Sequence, residues 1–214
     1  MKTSKSSKGL GLRAKLKAKL EVQGLTSREV GATLKQHQPT RHSTRAGHCL
    51  SDEVAMGIAA CELSQYVIRP TLVYLDRYSL AAEAMLLATA ATQSALGATL
   101  ETQQYHGIYR ISAERHAALW DYYLARDPEL ASLVRGLASQ HAFFGAPHLE
   151  LTVNLRYATA IAWLMIEESR LPLPEPDDHQ GQARLWRKVF NPRGRLHDFH
   201  MAWQRCSETW NQVA

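Results

Sequence analysis

The chain has 214 residues, 45% of them hydrophobic, and a formal net charge of +5 at pH 7. This hydrophobic content is ordinary for a soluble globular protein, and the length allows one good-sized core or one core plus an arm. No run of about 18 apolar residues occurs, so no membrane span is predicted. The three cysteines lack CxxC spacing, and we expect reduced thiols of a chain folded in a cytoplasm.

The positive charge is concentrated near the N-terminus. Residues 1–50 contain 11 Lys and Arg residues and two acids, whereas residues 51–214 contain 14 basic and 18 acidic residues. This imbalance predicts a basic N-terminal arm or linker over residues 1–50 and a helical domain over residues 51–214. Such an arm favours a nucleic acid or another polyanionic surface as its partner, and an acidic protein groove would serve as well. The basic residues expected to make these contacts are Lys2, Lys5, Lys8, Arg13, Lys15, Lys17 and Lys19.

The same stretch allows a second interpretation. Leucines at positions 12, 16 and 20 and a later Thr-Ser cap predict two short helices on either side of VQGLTS. Together they would form a helix-turn-helix at about residues 10–37. The apolar positions are too few to bury a three-helix core, which favours the extended arm.

The rest of the chain is organised around a helix predicted in the run SLAAEAMLLATAATQSALG. Ser79 is a suitable N-cap, and Gly97 is a suitable C-terminal stop. Glu83 is the only charged residue of the run, so we expect this helix to be buried on all sides. Its last turns deliver Gln93 and Ser94 to a polar loop, which predicts a site there.

Helical patterns dominate on both sides of this central helix, with almost no strand signal. The other predicted elements are a helix from Ser51 interrupted or kinked at Pro70, a short hairpin within 98–111, helices from Ser112, from Pro128 to Gly145 and from Pro147 to Arg170, and two closing helices around the turn 191–194. The chain is therefore predicted to be all-α with at most a small hairpin.

The order of these features resembles a known family. The buried helix ends T-A-A-x-x-S-x-x-G and is followed by a polar loop, by GIYRI and by a Ser-capped helix with His116 and Trp120. This order resembles the core of goose-type lysozymes and lytic transglycosylases, and more closely the lysozyme-like proteins that tailed phages encode. The segments that carry the resemblance are RPTLVYL, SLAAEAMLLATAATQS, HGIYRI and PHLELTVNLRYATAIAWL, and it spans residues 64–194.

The resemblance implies a catalytic site from which this chain departs. The family places its catalytic glutamate where this sequence has Gln93, and a glutamine where it has Arg110. Cleaving a glycosidic bond requires a proton on the leaving oxygen, which a carboxylic acid supplies and an amide does not. A cation at Arg110 would also disfavour a developing oxocarbenium ion. We therefore expect a degenerate site, with no cofactor and no metal.

Two nearby acids, Glu101 in the loop and Glu114 on the next helix, could replace the missing general acid. His197 and His200 share a helix face and could both bind Zn²⁺, but a third ligand is not evident, so surface histidines are expected. The resemblance also implies which side chains line a substrate groove: Ser94, Tyr105, Gly107, Tyr109, His116 and Trp120.

These observations predict a non-catalytic, lysozyme-like structural protein of a tailed-phage virion, in the tail, near the portal or among the ejection proteins. One alternative is an active, virion-associated peptidoglycan lytic transglycosylase that uses Glu101 or Glu114. A third hypothesis is the helix-turn-helix DNA-binding protein. Expected partners are other virion proteins, DNA through the arm, and peptidoglycan glycan, within a homo-oligomeric or larger assembly. The chain would be made in the host cytoplasm and then assembled into the phage particle.

Overall fold

The computed structural model describes residues 57–100, 102–139 and 146–210. These residues are mostly helical, with one small two-stranded antiparallel sheet, which confirms the predicted helical class and the small hairpin. The basic arm, the alternative helix-turn-helix and the candidate acid Glu101 lie outside the described residues. Among the described helices, none combines the length and the hydropathy that a bilayer crossing requires.

We label the described helices α1 to α8 and the strands β1 and β2, in chain order. The helices are α1 (Ala60–Leu63, a π-helical turn Ser64–Ile68 and Arg69–Tyr74), α2 (Leu80–Ser94), α3 (Ala113–Ala118, continued by a π-helical turn Leu119–Tyr123 and a 3₁₀ turn Leu124–Arg126), α4 (Pro128–Leu137), α5 (Glu150–Val153, after a 3₁₀ turn Pro147–Leu149), α6 (Leu155–Ser169), α7 (His179–Val189) and α8 (Leu196–Trp210). The strands are β1 (Tyr105–His106) and β2 (Ile111–Ser112), and Tyr105 pairs with Ser112.

Pro70 does not end α1. A proline in a helix lacks the N–H that would bond the carbonyl four residues back, and its ring clashes with that carbonyl. Here the residue four positions back is Tyr66, which lies inside the wider π-helical turn Ser64–Ile68. The helix therefore continues past Pro70 to Tyr74, and the predicted interruption takes the form of a local widening.

Helix α2 is buried on all sides, as its composition predicts. Every residue from Ala82 to Ala91 is buried, and the Ser79 hydroxyl caps the helix by accepting from the Ala82 N–H at 3.1 Å. Glu83 is fully buried and accepts hydrogen bonds from the Ser64 hydroxyl and, at 3.0 and 3.2 Å, from the Arg69 guanidinium. The one charge of this helix is thus compensated by its neighbours on α1.

Helix α2 ends at Ser94, three residues before the predicted stop at Gly97. Ala95 and Leu96 already adopt left-handed backbone conformations, with φ of 50° and 57°. The Leu96 N–H donates to Ala90 O, and the Gly97 N–H donates to the Ser94 hydroxyl. The serine side chain therefore turns the chain before the glycine is reached.

Two later helices are shorter than predicted. Helix α4 ends at Leu137 rather than at Gly145, because Ala138 is extended, and residues 140–145 lie outside the described residues. The helix predicted from Pro147 to Arg170 is broken at Asn154. The Asn154 side chain accepts from the Tyr157 N–H at 3.1 Å and so caps a new helix, α6.

The core is built around α2 and α6. Helix α8 packs along α2, and α6 contacts α1, α2, α4 and α7. The turn between β1 and β2 inserts Ile108 and Tyr109 into this core, where both are fully buried. Thr159 on α6 already donates to Leu155 O, so the Tyr109 hydroxyl donates to Thr159 Oγ1, at 3.2 Å. The hairpin turn is therefore fixed to the middle of the helical core.

Candidate functional site

Two adjacent side chains tie the end of α2 to the hairpin turn. The buried Ser94 hydroxyl donates to Ile108 O at 2.7 Å and accepts from the Gly97 N–H at 2.9 Å. The half-buried Gln93 amide donates to Tyr109 O at 3.3 Å. Ser94 therefore connects the end of α2 to the hairpin turn on the core side, and Gln93 connects them on the solvent side.

A groove of about 740 Å³ opens beside Gln93, a volume within the usual range of ligand sites. One wall is formed by the end of α2 and by the hairpin, and the other by the turn between α7 and α8. The residues that line it are Thr92, Gln93, Tyr105, Arg110, Phe190, Asn191, Pro192 and Arg193. None of these lining residues carries a carboxylate, and Glu101 lies outside the described residues.

Arg110 reaches this groove from the last position of the hairpin turn. Its backbone has a left-handed φ of 49°, and its N–H donates to Gly107 O at 3.1 Å. One guanidinium nitrogen, Nη2, donates to the Thr99 hydroxyl at 2.7 Å. The structure therefore places Gln93 and Arg110 at the same groove, with Tyr105 beside them.

Glu114 lies at a different place. It is exposed in the first turn of α3 and lines a smaller groove of about 390 Å³ with Gln103, Gln104, His106 and other residues of the hairpin region. Tyr105 lines both grooves. Glu114 is not among the residues that line the groove at Gln93, so the described residues do not bring this acid to that groove.

Four of the expected groove residues are buried. Ser94 and Tyr109 hold the hairpin turn from behind, and His116 is 1% exposed. Gly107 has a φ of 71°, and a Cβ atom added there would lie 1.8 Å from Leu151 O. Gly107 therefore allows the turn to pack closely against α5. None of these four residues is among those that line the groove at Gln93.

His116 belongs to a buried polar cluster with Trp120, the sixth expected groove residue. The His116 Nε2 atom lies 2.6 Å from the Tyr157 hydroxyl oxygen, and its Nδ1 lies 2.9 Å from Nδ1 of His148. The Trp120 indole N–H points at both Tyr157 Oη, at 2.9 Å, and His116 Nε2, at 3.2 Å. The His148 ring also stacks on His106, with centroids 6.0 Å apart.

The donors in this cluster fix the protonation of His116. An indole N–H can only donate, so His116 Nε2, at which it points, carries a lone pair and accepts. The ring proton is then on Nδ1 and is donated to His148 Nδ1. Burial, together with the nearby His148 and His106, lowers the pKa of His116 to about 4. His116 is therefore neutral at pH 7.

The second wall of the groove was not predicted from the sequence. Residues 190–193 are about 100 positions from Gln93 in the chain, and the sequence identified residues 191–194, Asn-Pro-Arg-Gly, only as a turn. The turn packs closely against α7. A Cβ atom added at Gly194 would lie 2.2 Å from the Trp186 ring. Turn composition was the available signal, but it does not indicate which surface the turn faces.

The two histidines weighed as zinc ligands, His197 and His200, lie on α8. Between them, Asp198 pairs with Arg195 at 3.0 Å, and His200 packs edge-on against Phe199. Within the described ranges, no group of three or more His, Cys, Asp or Glu side chains is arranged to hold a metal ion.

Comparisons with protein family models, with curated proteins and with solved structures found no match to this chain.

Proposed function

We propose that the chain is a non-catalytic, lysozyme-like structural protein of a tailed-phage virion. The observation that supports the proposal most is the groove beside the buried helix α2. Gln93 stands there where the resembled enzymes keep their general acid, and the charged side chains that line it are Arg110 and Arg193. The assignment to a virion rests on the resemblance described above.

The chemistry of this groove favours binding over cleavage. A general acid must give up a proton to the leaving oxygen, and it contributes about 10²–10⁴-fold to the rate. The Gln93 amide is occupied as a donor to Tyr109 O and is far too weak an acid for this step. The Arg110 cation would oppose positive charge that develops on a sugar ring. A saccharide bound here would remain intact.

The active-enzyme alternative depends on acids at other positions. Glu114 lines the neighbouring groove and could act only on a ligand that extends past Tyr105. Glu101 lies outside the described residues. The helix-turn-helix alternative and the contacts of the basic arm also fall on residues outside the described ranges, and both remain proposals from the sequence.

The test is a peptidoglycan clearing assay with the full-length protein. At equal molar concentration with an active lysozyme, we expect no clearing of the suspension above the buffer rate. Clearing at a comparable rate would refute the proposal, and loss of that activity in Glu114→Gln would identify the acid. The virion assignment is tested by mass spectrometry of purified particles of the source phage, in which the chain must occur at a fixed copy number.

A further inference from the structure

The outer side of α1 and of the loop after it is apolar and exposed to solvent. Five of the eleven large hydrophobic side chains that are exposed within the described residues lie here, all of them between positions 66 and 80. We name them the tyrosine face: Tyr66, Val73, Tyr74, Tyr78 and Leu80. Single exposed apolar side chains are common, whereas such a concentration of them indicates an interaction surface.

Two arginines lie over rings of the tyrosine face. The guanidinium carbon of Arg69 is 6.0 Å from the ring centroid of Tyr78, and that of Arg156, on α6, is 5.7 Å from the ring centroid of Tyr74. Arg69 is paired with the buried Glu83, but no ion pair of Arg156 occurs within the described part of the chain. Arg156 is exposed, so its charge is available to an acidic partner beside Tyr74.

A second exposed segment has the complementary character. Residues 171–178, LPLPEPDD, connect α6 to α7 and contain prolines at positions 172, 174 and 176. We name these eight residues the proline segment. It has three acids and no basic residue, and within the described ranges none of these acids forms an ion pair. All three acids are exposed: Glu175, Asp177 and Asp178.

The proline segment is held in place by the helix that follows it. The side-chain amide of the buried Gln182 donates to Glu175 O at 3.1 Å and to Pro176 O at 3.0 Å. The Asp178 carboxylate caps α7 by accepting from the Gly181 N–H at 2.8 Å. Binding a partner therefore orders few additional residues of the segment, which lowers the entropic cost of association.

The two surfaces match in chemistry and in length. Surfaces lined by aromatic rings recognise proline-rich segments, because such segments are already stiff and extended. A helix rises about 10 Å over the seven positions from Tyr66 to Val73. Five residues of an extended proline-rich segment, such as 171–175, span about 12 Å. The segment can thus lie along the face with its acids at the end where Arg156 is.

We infer that the tyrosine face of one copy binds the proline segment of a second copy of this chain. Both surfaces are exposed within one copy, so the contact requires two. The basic arm fits the face less well, because the arm and Arg156 carry the same charge. The inference does not depend on the proposed function, since neither surface includes a residue that lines the groove at Gln93.

The experiment is sedimentation velocity of the full-length, nuclease-treated protein over concentrations from about 1 µM to 1 mM, the range in which weak contacts form. We expect reversible self-association that becomes weaker by about tenfold or more in a face variant, Y66S/V73S, and in a segment variant, E175K/D177K. An equimolar mixture of the two variants should associate again, because each supplies the surface that the other lacks. A misfolded variant could not do so.

Two matched controls should keep the wild-type association. Tyr122→Ser removes a ring that is as exposed as that of Tyr66, at 66%, and D121K/E208K makes the same charge change at exposed positions outside the proline segment. A wild type that stays monomeric throughout would overturn the inference, and so would a mixture of the two variants that fails to associate. Association that both variants retain would come from another surface and would also overturn it. Loss of DNA binding in Y66S/V73S would assign the face to nucleic acid instead.

Discussion

His116 is a neutral imidazole, and both of its ring nitrogens already have hydrogen-bond partners that disfavour a second ring proton. Its Nε2 accepts from the Trp120 indole N–H and lies 2.6 Å from the Tyr157 hydroxyl oxygen, and its Nδ1–H donates to His148 Nδ1 at 2.9 Å. A second proton on Nε2 would face the Trp120 N–H and would place a charge in a site that is 1% exposed. The cluster is therefore stable only while His116 stays neutral.

This residue should make the fold sensitive to acid. The pKa of His116 is about 4 in the folded protein and about 6.5 in the unfolded chain, because burial disfavours the charged ring. The unfolded chain thus binds more protons between these values, so stability falls as the pH falls from about 6.5 to about 4. We expect this group alone to lower the free energy of unfolding by roughly 3 kcal/mol over that window. Urea denaturation at a series of pH values measures it.

Two histidine variants separate this effect from general acid destabilisation. His116→Gln should be less stable at pH 7 but should lose less stability between pH 6.5 and pH 4 than wild type. His197→Gln, at an exposed position on α8, should show the wild-type dependence. If His116→Gln keeps the full wild-type slope, then His116 is not the group that titrates.

At the scale of elements, the contact between α1 and α2 contains a buried carboxylate. Glu83 is fully buried, and the Arg69 side chain that pairs with it at 3.0 Å is about half exposed. Removing the cation would leave an unpaired charge inside the core, whereas a pair at the surface contributes little.

Arg69→Met should therefore destabilise the fold by roughly 3 kcal/mol. The matched control is Arg77→Met, which removes the partly exposed pair with Glu167 and should cost about 0.2–1 kcal/mol. Both values come from chemical denaturation at pH 7. A smaller effect of Arg69→Met than of Arg77→Met would show that Arg69 is not needed to compensate Glu83.

The contact between the hairpin turn and α5 depends on the absence of a side chain at Gly107. Gly97 and Gly107 both have positive φ, of 90° and 71°. A Cβ atom at Gly97 would meet side-chain atoms no closer than 3.5 Å, whereas one at Gly107 would lie 1.8 Å from a backbone carbonyl. A non-glycine residue would therefore be strained at both positions, but only Gly107 lacks the space for a Cβ atom.

Gly97→Ala should cost about 1–2 kcal/mol, the usual penalty for a left-handed alanine. Gly107→Ala should cost at least twice as much, because α5 or the turn must also move. Thermal and urea unfolding of the two variants give the comparison. Equal costs would contradict the close packing of the turn against Leu151.

The sequence was most informative where a local signal determines the outcome. The Ser79 cap and the apolar run after it predicted the start and burial of α2, and Ser112 predicted the start of α3. The break at Asn154 was not predicted, because an Asn cap inside an otherwise helical run competes with apolar periodicity. Gln93 and Arg110 were singled out by resemblance, but the opposite wall around Arg193 depends on tertiary packing that no local pattern encodes.

At the scale of the whole molecule, the charge is divided between two parts of the sequence. Residues 1–50 carry 11 basic residues and two acids, and residues 51–214 carry an excess of acids. If the first part binds DNA as an extended arm, its affinity should fall steeply with salt and be independent of sequence. A helix-turn-helix would instead prefer particular sequences at moderate salt.

We expect the triple variant K15Q/K17Q/K19Q to reduce the slope of log K against log[salt] for DNA binding by the amount that corresponds to about three phosphate contacts. The reduction should be equal for unrelated duplexes. Fluorescence anisotropy at several salt concentrations measures the slope. As a control, K188Q, at an exposed position on α7, should leave the slope unchanged. Binding that favours one duplex by a hundredfold or more at moderate salt would support the helix-turn-helix instead.

The proposed function requires that the groove beside Gln93 does not cleave a glycan. The most direct measurement is mass spectrometry of the soluble products after a long incubation of the full-length protein with purified peptidoglycan. We predict no muropeptides above those released by buffer alone. Muropeptides with new reducing or anhydro ends, formed in proportion to protein concentration, would contradict the account.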